Sequence, residues 1–164
     1  MVNNITRLLD ANKILYEVFI LPVKKLGAIE TARLLNISLK LVYKTIVVVR
    51  PKPRKPILAL IPWDCQLDLK ALALLLNEKK INLPTEKEAE TLTGMQAGSI
   101  SPLALINRGF QVLINFQATN QAEIHISAGQ RGLNIRLPVT DLVRLTQARF
   151  GMISQPLITD YLSD

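Results

Sequence analysis

The chain has 164 residues, of which 49% are apolar, and a formal net charge of +7. This length suits one domain with a real core and is short for two domains. No apolar run approaches the roughly 20 residues that cross a bilayer, and the N-terminus lacks a signal-peptide pattern. The single cysteine, Cys65, cannot form an internal disulfide. We therefore expect a soluble, cytoplasmic protein with no membrane partner.

The positive charge is concentrated at the start of the chain. Residues 1–55 contain eleven basic and three acidic residues, whereas residues 56–164 contain nine and ten. This asymmetry favours an anionic partner, with nucleic acid as the leading candidate. The alternative is a solvated basic surface without a partner, because net charge acts first on solubility.

Helices and strands alternate along the first half of the chain. The patterns predict, in order, a helix capped by Asn4 and ending near residue 12, a strand at 16–20, a helix at 28–35, a strand at 41–50 and a strand at 57–61. The last two are joined by a proline-rich basic loop, 51–56. We expect these two strands to lie next to each other in one sheet.

The second half continues the same mixture of elements. The patterns predict a helix at 69–77 capped by Asp68, a short strand at 81–83, a helix from Thr85 to Gly94, strands at 111–115, 122–127 and 133–137, and a helix at 141–147 capped by Thr140. The helix at 69–77 is apolar on nearly every side, which predicts that it is well buried. Residues after Phe150 carry weak signals and are predicted to form a loosely attached tail.

The lengths of the connections decide between fold classes. Several predicted strand pairs are joined by loops too short for a crossover helix. We therefore predict an α+β fold, with a mixed, largely antiparallel sheet and helices packed outside it.

Lys44 is unusual because it lies within the first of the two apolar strands. Side chains alternate across a strand, so Lys44 shares its face with Val42, Ile46 and Val48. An ammonium on an apolar face is costly unless water, a partner or a ligand meets it. The alternative is that Lys44 lies at the start of the strand and its side chain snorkels to solvent.

Other residue types give weaker indications of chemistry. One His, one Cys and no spaced carboxylate cluster do not supply a zinc site, and no glycine-rich phosphate loop is present, so we expect no metal and no cofactor. Cys65 could be a nucleophile paired with His125, but a small buried thiol is the favoured interpretation. His125 alternates with Glu123 and Ser127 on the predicted polar side of its strand.

The segment 98–102 joins a flexible glycine, two hydroxyl groups and a stiffening proline, in the order Gly98, Ser99, Ile100, Ser101 and Pro102. Backbone N–H groups of such a loop could meet a carbonyl or a developing oxyanion. An ordinary structural turn is the alternative for this pattern taken alone.

Three segments occur together in the order and spacing of the YbaK/EbsC family. They are Val42-Tyr43-Lys44-Thr45, Gly98-Ser99-Ile100-Ser101-Pro102-Leu103 and Ser127-Ala128-Gly129-Gln130-Arg131-Gly132-Leu133-Asn134-Ile135. The chain resembles this family over residues 1–153, which predicts one domain there and a C-terminal tail at 154–164. The family includes free-standing aminoacyl-tRNA deacylases and is similar to the editing domain of bacterial prolyl-tRNA synthetases. The resemblance implies a curved, barrel-like sheet flanked by helices.

The resemblance also implies an activity. The expected reaction is removal of a wrong amino acid, chiefly Cys, from tRNA(Pro), with prolyl-tRNA synthetase as a candidate partner. Editing is needed because one methylene in a pocket discriminates by only about 1–3 kcal/mol. In this family's Cys-specific branch the substrate's own thiol attacks the ester, so the protein need not supply a nucleophile. The alternatives are an Ala-tRNA(Pro) deacylase, or a catalytically weak module that binds tRNA or a synthetase.

Individual residues take roles from the same resemblance. Lys44 matches the family's lysine most tied to activity; it acts either as a cation or, if desolvated, as a base, and the polyanionic substrate favours the cation. The expected substrate-binding residues are Tyr43, Thr45, Gly98, Ser99, Ile100, Ser101, Pro102, Gly129, Arg131, Gly132 and Asn134. The expected tRNA-binding residues are Arg50, Lys52, Arg54 and Lys55. Asn134 stands where relatives usually have Asp, so an amide replaces a carboxylate, and we expect this change to bear on amino-acid specificity and on activity.

Overall fold

The computed structural model describes residues 3–24 and 28–157. Its α-helices are α1 (Asn4–Ala11), α2 (Ala28–Leu35), α3 (Leu69–Leu76), α4 (Glu86–Thr93) and α5 (Val139–Thr146). Its strands are β1 (Glu17–Ile20), β2 (Tyr43–Val48), β3 (Ile57–Pro62), β4 (Cys65–Leu67), β5 (Gln111–Asn115), β6 (Glu123–Ser127), β7 (Leu133–Pro138), β8 (Arg149–Gly151) and β9 (Ser154–Pro156). Within the described ranges, no helix has the length and apolar character needed to span a membrane.

Side-chain caps determine where three of these helices begin. Asp68 and Thr85 each accept a hydrogen bond from a backbone N–H of the following first turn, so the predicted caps of α3 and α4 are confirmed. At α1 the cap is Asn3 rather than the predicted Asn4. The Asn3 side chain accepts from the N–H of Thr6 at 2.9 Å, and the Thr6 hydroxyl accepts from the N–H of Asn3 at 2.8 Å. This reciprocal capping box satisfies two otherwise unpaired donors.

The last helix begins without a side-chain cap. α5 starts at Val139 directly after Pro138, and no side chain bonds to its first turn. The predicted cap at Thr140 is therefore wrong. Proline ends β7 because its ring fixes φ and removes a backbone donor, so the helix begins before the polar residue that resembles a cap.

The described strands form three sheets rather than a closed barrel. β1, β7 and β6 form an antiparallel sheet, while β2, β3, β5 and β8 form a mixed one with an antiparallel β2–β3 pair and parallel β3–β5 and β5–β8 pairs. β4 and β9 form an antiparallel pair. A parallel bridge between Val42 and His125 joins the first two sheets at their edges. The predicted α+β fold with a mixed, largely antiparallel sheet is confirmed.

The strands β2, β3 and β5 lie between two apolar cores, which explains their nearly continuous apolar sequence. Every residue of β3 is buried. One face of these strands contributes Tyr43, Val47, Leu58, Leu60, Val112 and Ile114 to the larger core, which they share with α1, α5, β6 and β7. The other face contributes Val48, Ile57, Ala59, Ile61 and Leu113 to a smaller core, together with Leu72 and Ile153. The alternation predicted for the strand that carries Lys44 is thereby confirmed.

The helix α3 covers the smaller core through one fully buried residue, Leu72. Leu74 exposes 83% of its surface, and Leu75 also lies at the surface. The prediction that this helix is well buried is therefore wrong. A two-turn helix packed on one side of a sheet buries one stripe of side chains, even where its sequence is apolar all round.

The segment after Phe150 packs against the rest of the fold. β8 extends the mixed sheet beside β5, β9 pairs with β4, and Ile153 between them is fully buried. The predicted loose tail is therefore wrong up to residue 156. Three-residue strands leave too short a pattern to be recognised, because their pairing partners are remote in the sequence. Residues 158–164 of the predicted tail lie outside the described residues.

Replacing Ile153 with Ala tests whether this segment supports the fold. Ile153 lies in the smaller core with 0% exposure, so the variant should lose about 2–5 kcal/mol of unfolding free energy. The matched control is Met152→Ala, because its neighbour Met152 exposes 69% of its surface and should change stability by less than about 0.5 kcal/mol. Urea denaturation measures both, and equal stabilities would show that the segment contributes little.

Candidate active site

A pocket of about 290 Å³ opens where the two larger sheets meet. Residues from β2, from the loop between α4 and β5, and from β7 with the turn before it form its walls. Of the residues predicted for substrate binding or catalysis, it is lined by Tyr43, Lys44, Thr45, Gly98, Ile100, Gly132 and Asn134. Three segments that are far apart in the sequence therefore contribute to one cavity.

Lys44 is the half-buried cation of this pocket. It pairs with Ile61 across the β2–β3 ladder, and its Nζ lies 5.0 Å from the ring centroid of Trp63. In the described part of the chain, no group accepts a hydrogen bond from this ammonium or forms an ion pair with it. Burial lowers the pKa of Lys44, an effect opposed by the negative charge of the Cys65 thiolate and of Asp64. The ammonium therefore faces the pocket with its three donors available.

The loop beside Lys44 is held by three hydrogen bonds from other elements. The N–H of Ala97 donates to a Glu90 carboxylate oxygen at 2.8 Å, and Nε of Arg131 donates to the Ala97 carbonyl at 2.8 Å. The Ser127 hydroxyl donates to the Gly98 carbonyl at 3.3 Å. Arg131 does not line the pocket; the structure instead places it as a support of the loop.

Ala97, Gly98 and Ile100 are the residues of this loop that line the pocket. Gly98 has a φ of 87°, in the region that favours glycine. Among residues 3–24 and 28–157, no group accepts a hydrogen bond from the backbone N–H of Gly98 or Ile100. These two donors can therefore serve a carbonyl oxygen in the pocket.

The two hydroxyl groups of the loop are used inside the protein. The Ser99 hydroxyl donates to the Gln96 carbonyl at 2.7 Å, and the fully buried Ser101 accepts from the N–H of Leu103 at 3.3 Å. Pro102 is buried as well. These three predicted substrate-binding residues stabilise the loop and do not line the cavity.

Two glycines close the turn between β6 and β7. A side chain on Gly129 would lie 2.9 Å from Ile5, and one on Gly132 would lie 2.9 Å from the Leu21 carbonyl oxygen. Both have a φ of 86°, which further disfavours other residues. Gly132 lines the pocket, whereas Gly129 lies outside its lining.

Asn134 lines the pocket from β7 and is paired with His125 behind it. Nδ1 of His125 lies 2.8 Å from Oδ1 of Asn134, and the imidazole lies 5.2 Å from the Phe19 ring. Burial lowers the pKa of His125, so the ring is neutral at pH 7 and its Nδ1–H donates to the amide oxygen. The predicted polar position of His125 is wrong, because the bridge to Val42 places it under the junction of the two sheets.

Cys65 is a buried thiol in β4. Burial raises its pKa, so the reactive thiolate is disfavoured at neutral pH. The favoured interpretation of Cys65 as a small buried thiol is confirmed. Tyr43 is a second buried acid: its hydroxyl has no hydrogen-bond partner among the described residues, and burial raises its pKa.

The predicted tRNA-binding residues lie beyond the opposite end of β2, roughly 20 Å along the strand from Lys44. Nε of Arg50 donates to the Lys55 carbonyl at 2.7 Å. Arg50 also lies 3.7 Å from the Glu78 carboxylate, which Arg54 contacts with both terminal guanidinium nitrogens. Two of the four cations are therefore held in an internal ion-pair network. Lys52 and Lys55 are exposed.

Several pocket residues are absent from the sequence-based prediction. They are Leu21, Lys24, Thr31, Val42, Ile46, Trp63, Ala97, Ser127 and Leu133. Trp63 carried a usable signal, because it is the only tryptophan in the chain and lies two residues after the strand predicted to pair with that of Lys44. Lys24 and Thr31 carried none, since only the three-dimensional fold brings the start of α2 to β2.

Replacing Asn134 with Asp should raise the pKa of His125. The new carboxylate would lie 2.8 Å from Nδ1 and would stabilise the imidazolium. His125 is the only histidine, so NMR titration reports on it without ambiguity. We expect a midpoint below the usual value in the wild type and above it in the variant, whereas Glu123→Gln, which removes an exposed carboxylate of the same strand, should not raise it.

Protonation of His125 also makes the free energy of unfolding depend on pH, in opposite directions in the wild type and in Asn134→Asp. In the wild type the pKa of His125 is lower in the folded state than in the unfolded state. The neutral imidazole therefore contributes fully to the unfolding free energy above about pH 6.5, and this contribution is lost as the pH falls. In Asn134→Asp the folded pKa should be raised, and the contribution should be lost as the pH rises. Identical midpoints in both proteins would contradict the observed pairing.

Comparison with known proteins identifies the family to which the chain belongs. The family model of the aminoacyl-tRNA editing domain matches residues 24–145. A protein of Enterococcus faecalis assigned as a Cys-tRNA(Pro)/Cys-tRNA(Cys) deacylase, EbsC, is 31% identical over 153 residues, which cover 92% of each chain. This confirms the resemblance inferred from the three sequence segments and, with it, the class of activity, aminoacyl-tRNA deacylation.

Solved structures share the fold. The hypothetical protein APE2540 has a TM-score of 0.83 and 20% identity, covering 93% of this chain and 100% of its own. A protein assigned as a trans-editing enzyme for prolyl tRNA synthetase has a TM-score of 0.78 and 20% identity, covering 94% and 99%. At these identities the two structures support the fold alone. From the family match and the Enterococcus relative, the chain belongs to the aminoacyl-tRNA editing domain family.

Proposed function

We propose that the chain removes cysteine from mischarged Cys-tRNA(Pro). The observation that carries this proposal is the ammonium of Lys44, which has no acceptor among the described residues and belongs to the pocket that Gly98 and Ile100 also line. A cation and two backbone donors are what an ester carbonyl needs as negative charge develops on its oxygen. The amino acid follows the assignment of the Enterococcus relative.

The reaction needs no nucleophile from the protein. The substrate's thiol gives up its proton and attacks the ester carbonyl, so that a carbon–sulfur bond forms and the bond to the ribose oxygen breaks. The ribose oxygen takes up the proton that the thiol lost, and a cysteine thiolactone leaves. Lys44 stabilises the oxyanion as a cation, while the buried and mainly protonated Cys65 takes no part.

Alanine is the second candidate substrate. The pocket is small, at about 290 Å³, and Val42, Ile46, Ile100 and Leu133 give it apolar walls that do not distinguish strongly between small side chains. Alanine carries no thiol, so its removal would require attack by water. A third candidate is a module that binds tRNA or a synthetase without turnover, and it predicts no hydrolysis that depends on Lys44.

We further propose that prolyl-tRNA synthetase is a partner and that the reaction takes place in the cytoplasm, where tRNA is charged. The family match supports aminoacyl-tRNA as the substrate. The pocket, at about 290 Å³, is far too small for the body of a tRNA, so recognition of tRNA(Pro) must come from outside it. A synthetase that has just charged the tRNA could supply that recognition.

Lys44→Ala should lower the rate of deacylation of Cys-tRNA(Pro) by about 100-fold or more, as expected when an oxyanion donor is lost. The matched control is Lys40→Ala. Lys40 is exposed and lies four residues earlier, outside the pocket lining, so its loss removes the same charge without changing the rate. Single-turnover kinetics with charged tRNA(Pro) measures both variants.

The same assay with Ala-tRNA(Pro) separates the candidate substrates. Loss of Cys alone would support attack by the substrate's thiol, whereas rapid loss of Ala would show that a thiol is not obligatory. If neither ester is cleaved faster than in the blank, the proposal fails and the binding module becomes the better account.

For binding the tRNA body we propose the basic loop of Arg50, Lys52, Arg54 and Lys55. The two exposed lysines should account for most of the contact, because Glu78 and the Lys55 carbonyl already hold Arg50. Lys52→Ala with Lys55→Ala should weaken tRNA binding and reduce the slope of log affinity against log salt by roughly 1.5. The control pair is Lys70→Ala with Lys87→Ala, two exposed helical lysines. If both double variants bound tRNA with the same affinity, the basic loop would not be part of the tRNA interface.

A further inference from the structure

The ammonium of Lys44 is held in the pocket without an anionic partner. Among the described residues the ammonium lies over the ring of Trp63, whose centroid is 5.0 Å from Nζ. This distance is within the range of a cation–π interaction, in which the negative face of the ring attracts the cation. Trp63 is half-buried and lines the same pocket.

Backbone hydrogen bonding fixes Trp63 relative to the strand that carries Lys44. Trp63 follows Pro62, which pairs with Tyr43 at the end of the β2–β3 ladder. Its N–H donates to the Val42 carbonyl at 2.9 Å. The indole and the lysine are therefore anchored to the same short stretch of paired backbone, so their separation depends on side-chain torsions alone.

We propose that Trp63 is the positioning residue for Lys44, holding its ammonium at the ester through the face of the indole ring. This kind of contact leaves the N–H donors of Lys44 for the substrate. An ion pair would hold the lysine but would consume its charge and its donors. A ring attracts the cation as a whole and leaves the N–H groups able to bond to an oxyanion.

Other charged groups near Lys44 do not replace this interaction. Asp64 and the Cys65 thiol lie close enough for a thiolate or carboxylate charge to raise the pKa of Lys44, but neither bonds to it, and burial acts in the opposite direction. Lys24 lines the same pocket and, as a second cation, would repel Lys44. The ring therefore favours the charged state of a lysine that burial disfavours.

The catalytic consequence rests on the proposed function, whereas the coupling of Trp63 to Lys44 does not. Trp63→Leu keeps an apolar side chain and removes the ring, so the pKa of Lys44 should fall. Under the proposed function, kcat/KM should fall roughly three- to tenfold, chiefly in kcat, and the alkaline limb of the pH profile should move to lower pH. Trp63→Phe retains a weaker ring and should restore part of each effect.

The control is a second aromatic–lysine pair at the surface. Phe110 lies under Lys55, with its centroid 6.0 Å from Nζ, and it is outside the pocket lining. Phe110→Leu removes an aromatic ring from a different lysine and should leave the titration of Lys44 unchanged.

The deciding measurement is the NMR titration of the Lys44 side chain, through its ¹³Cε resonance, in wild type, Trp63→Leu and Phe110→Leu. A lower midpoint in Trp63→Leu alone supports the proposal, and an unchanged midpoint overturns it whether or not the protein deacylates tRNA. If the wild type did not deacylate tRNA, the proposed function would be wrong. The titration of Lys44 would still show whether Trp63 interacts with it.

A second measurement needs no change at Trp63. Trp63 is the only tryptophan, so its fluorescence should change as Lys44 loses its proton. This change should be absent in Lys44→Ala. A pH dependence of the emission that is the same in both proteins would overturn the proposal.

Discussion

The site depends on one constraint: a lysine ammonium must be held on an apolar strand face without being neutralised. Two cores bury the strand on both faces, which limits the groups that can reach Lys44. The fold meets the constraint by opening a pocket where the two larger sheets join and by placing an aromatic ring beside the cation. The ammonium therefore keeps its charge and its donors for a substrate.

A second set of interactions builds the opposite wall. Arg131, Glu90 and Ser127 fix the loop at Ala97 and Gly98 from three different elements. Three of the polar side chains singled out by the sequence, Ser99, Ser101 and Arg131, do not line the cavity and instead hold the backbone of the loop. The His125–Asn134 pair follows the same logic, since the buried imidazole orients the amide that lines the pocket.

Local rules predicted much of the fold, and they failed where pairing is remote. Asp68 and Thr85 could be recognised as caps because the evidence lies within one helical turn. The short strands β8 and β9 could not, because each is specified by a partner strand at least 36 residues away in the chain rather than by its own pattern. In the site, Lys44 stood out as a charge in an apolar run, and the predicted strand pairing could have placed Trp63 near it, whereas Lys24 joins it only through the fold. The internal use of Arg50 depends on Glu78, which no local pattern connects to it.

The most direct test is a crystal structure with a cysteinyl-adenosine analogue in which an amide replaces the ester. The account predicts that the analogue's carbonyl lies within hydrogen-bonding distance of Nζ of Lys44 and of the N–H of Gly98 or Ile100. The cysteine side chain should then lie between β2 and the loop beside it. An analogue bound with its carbonyl remote from Lys44, or outside this pocket, would contradict the account.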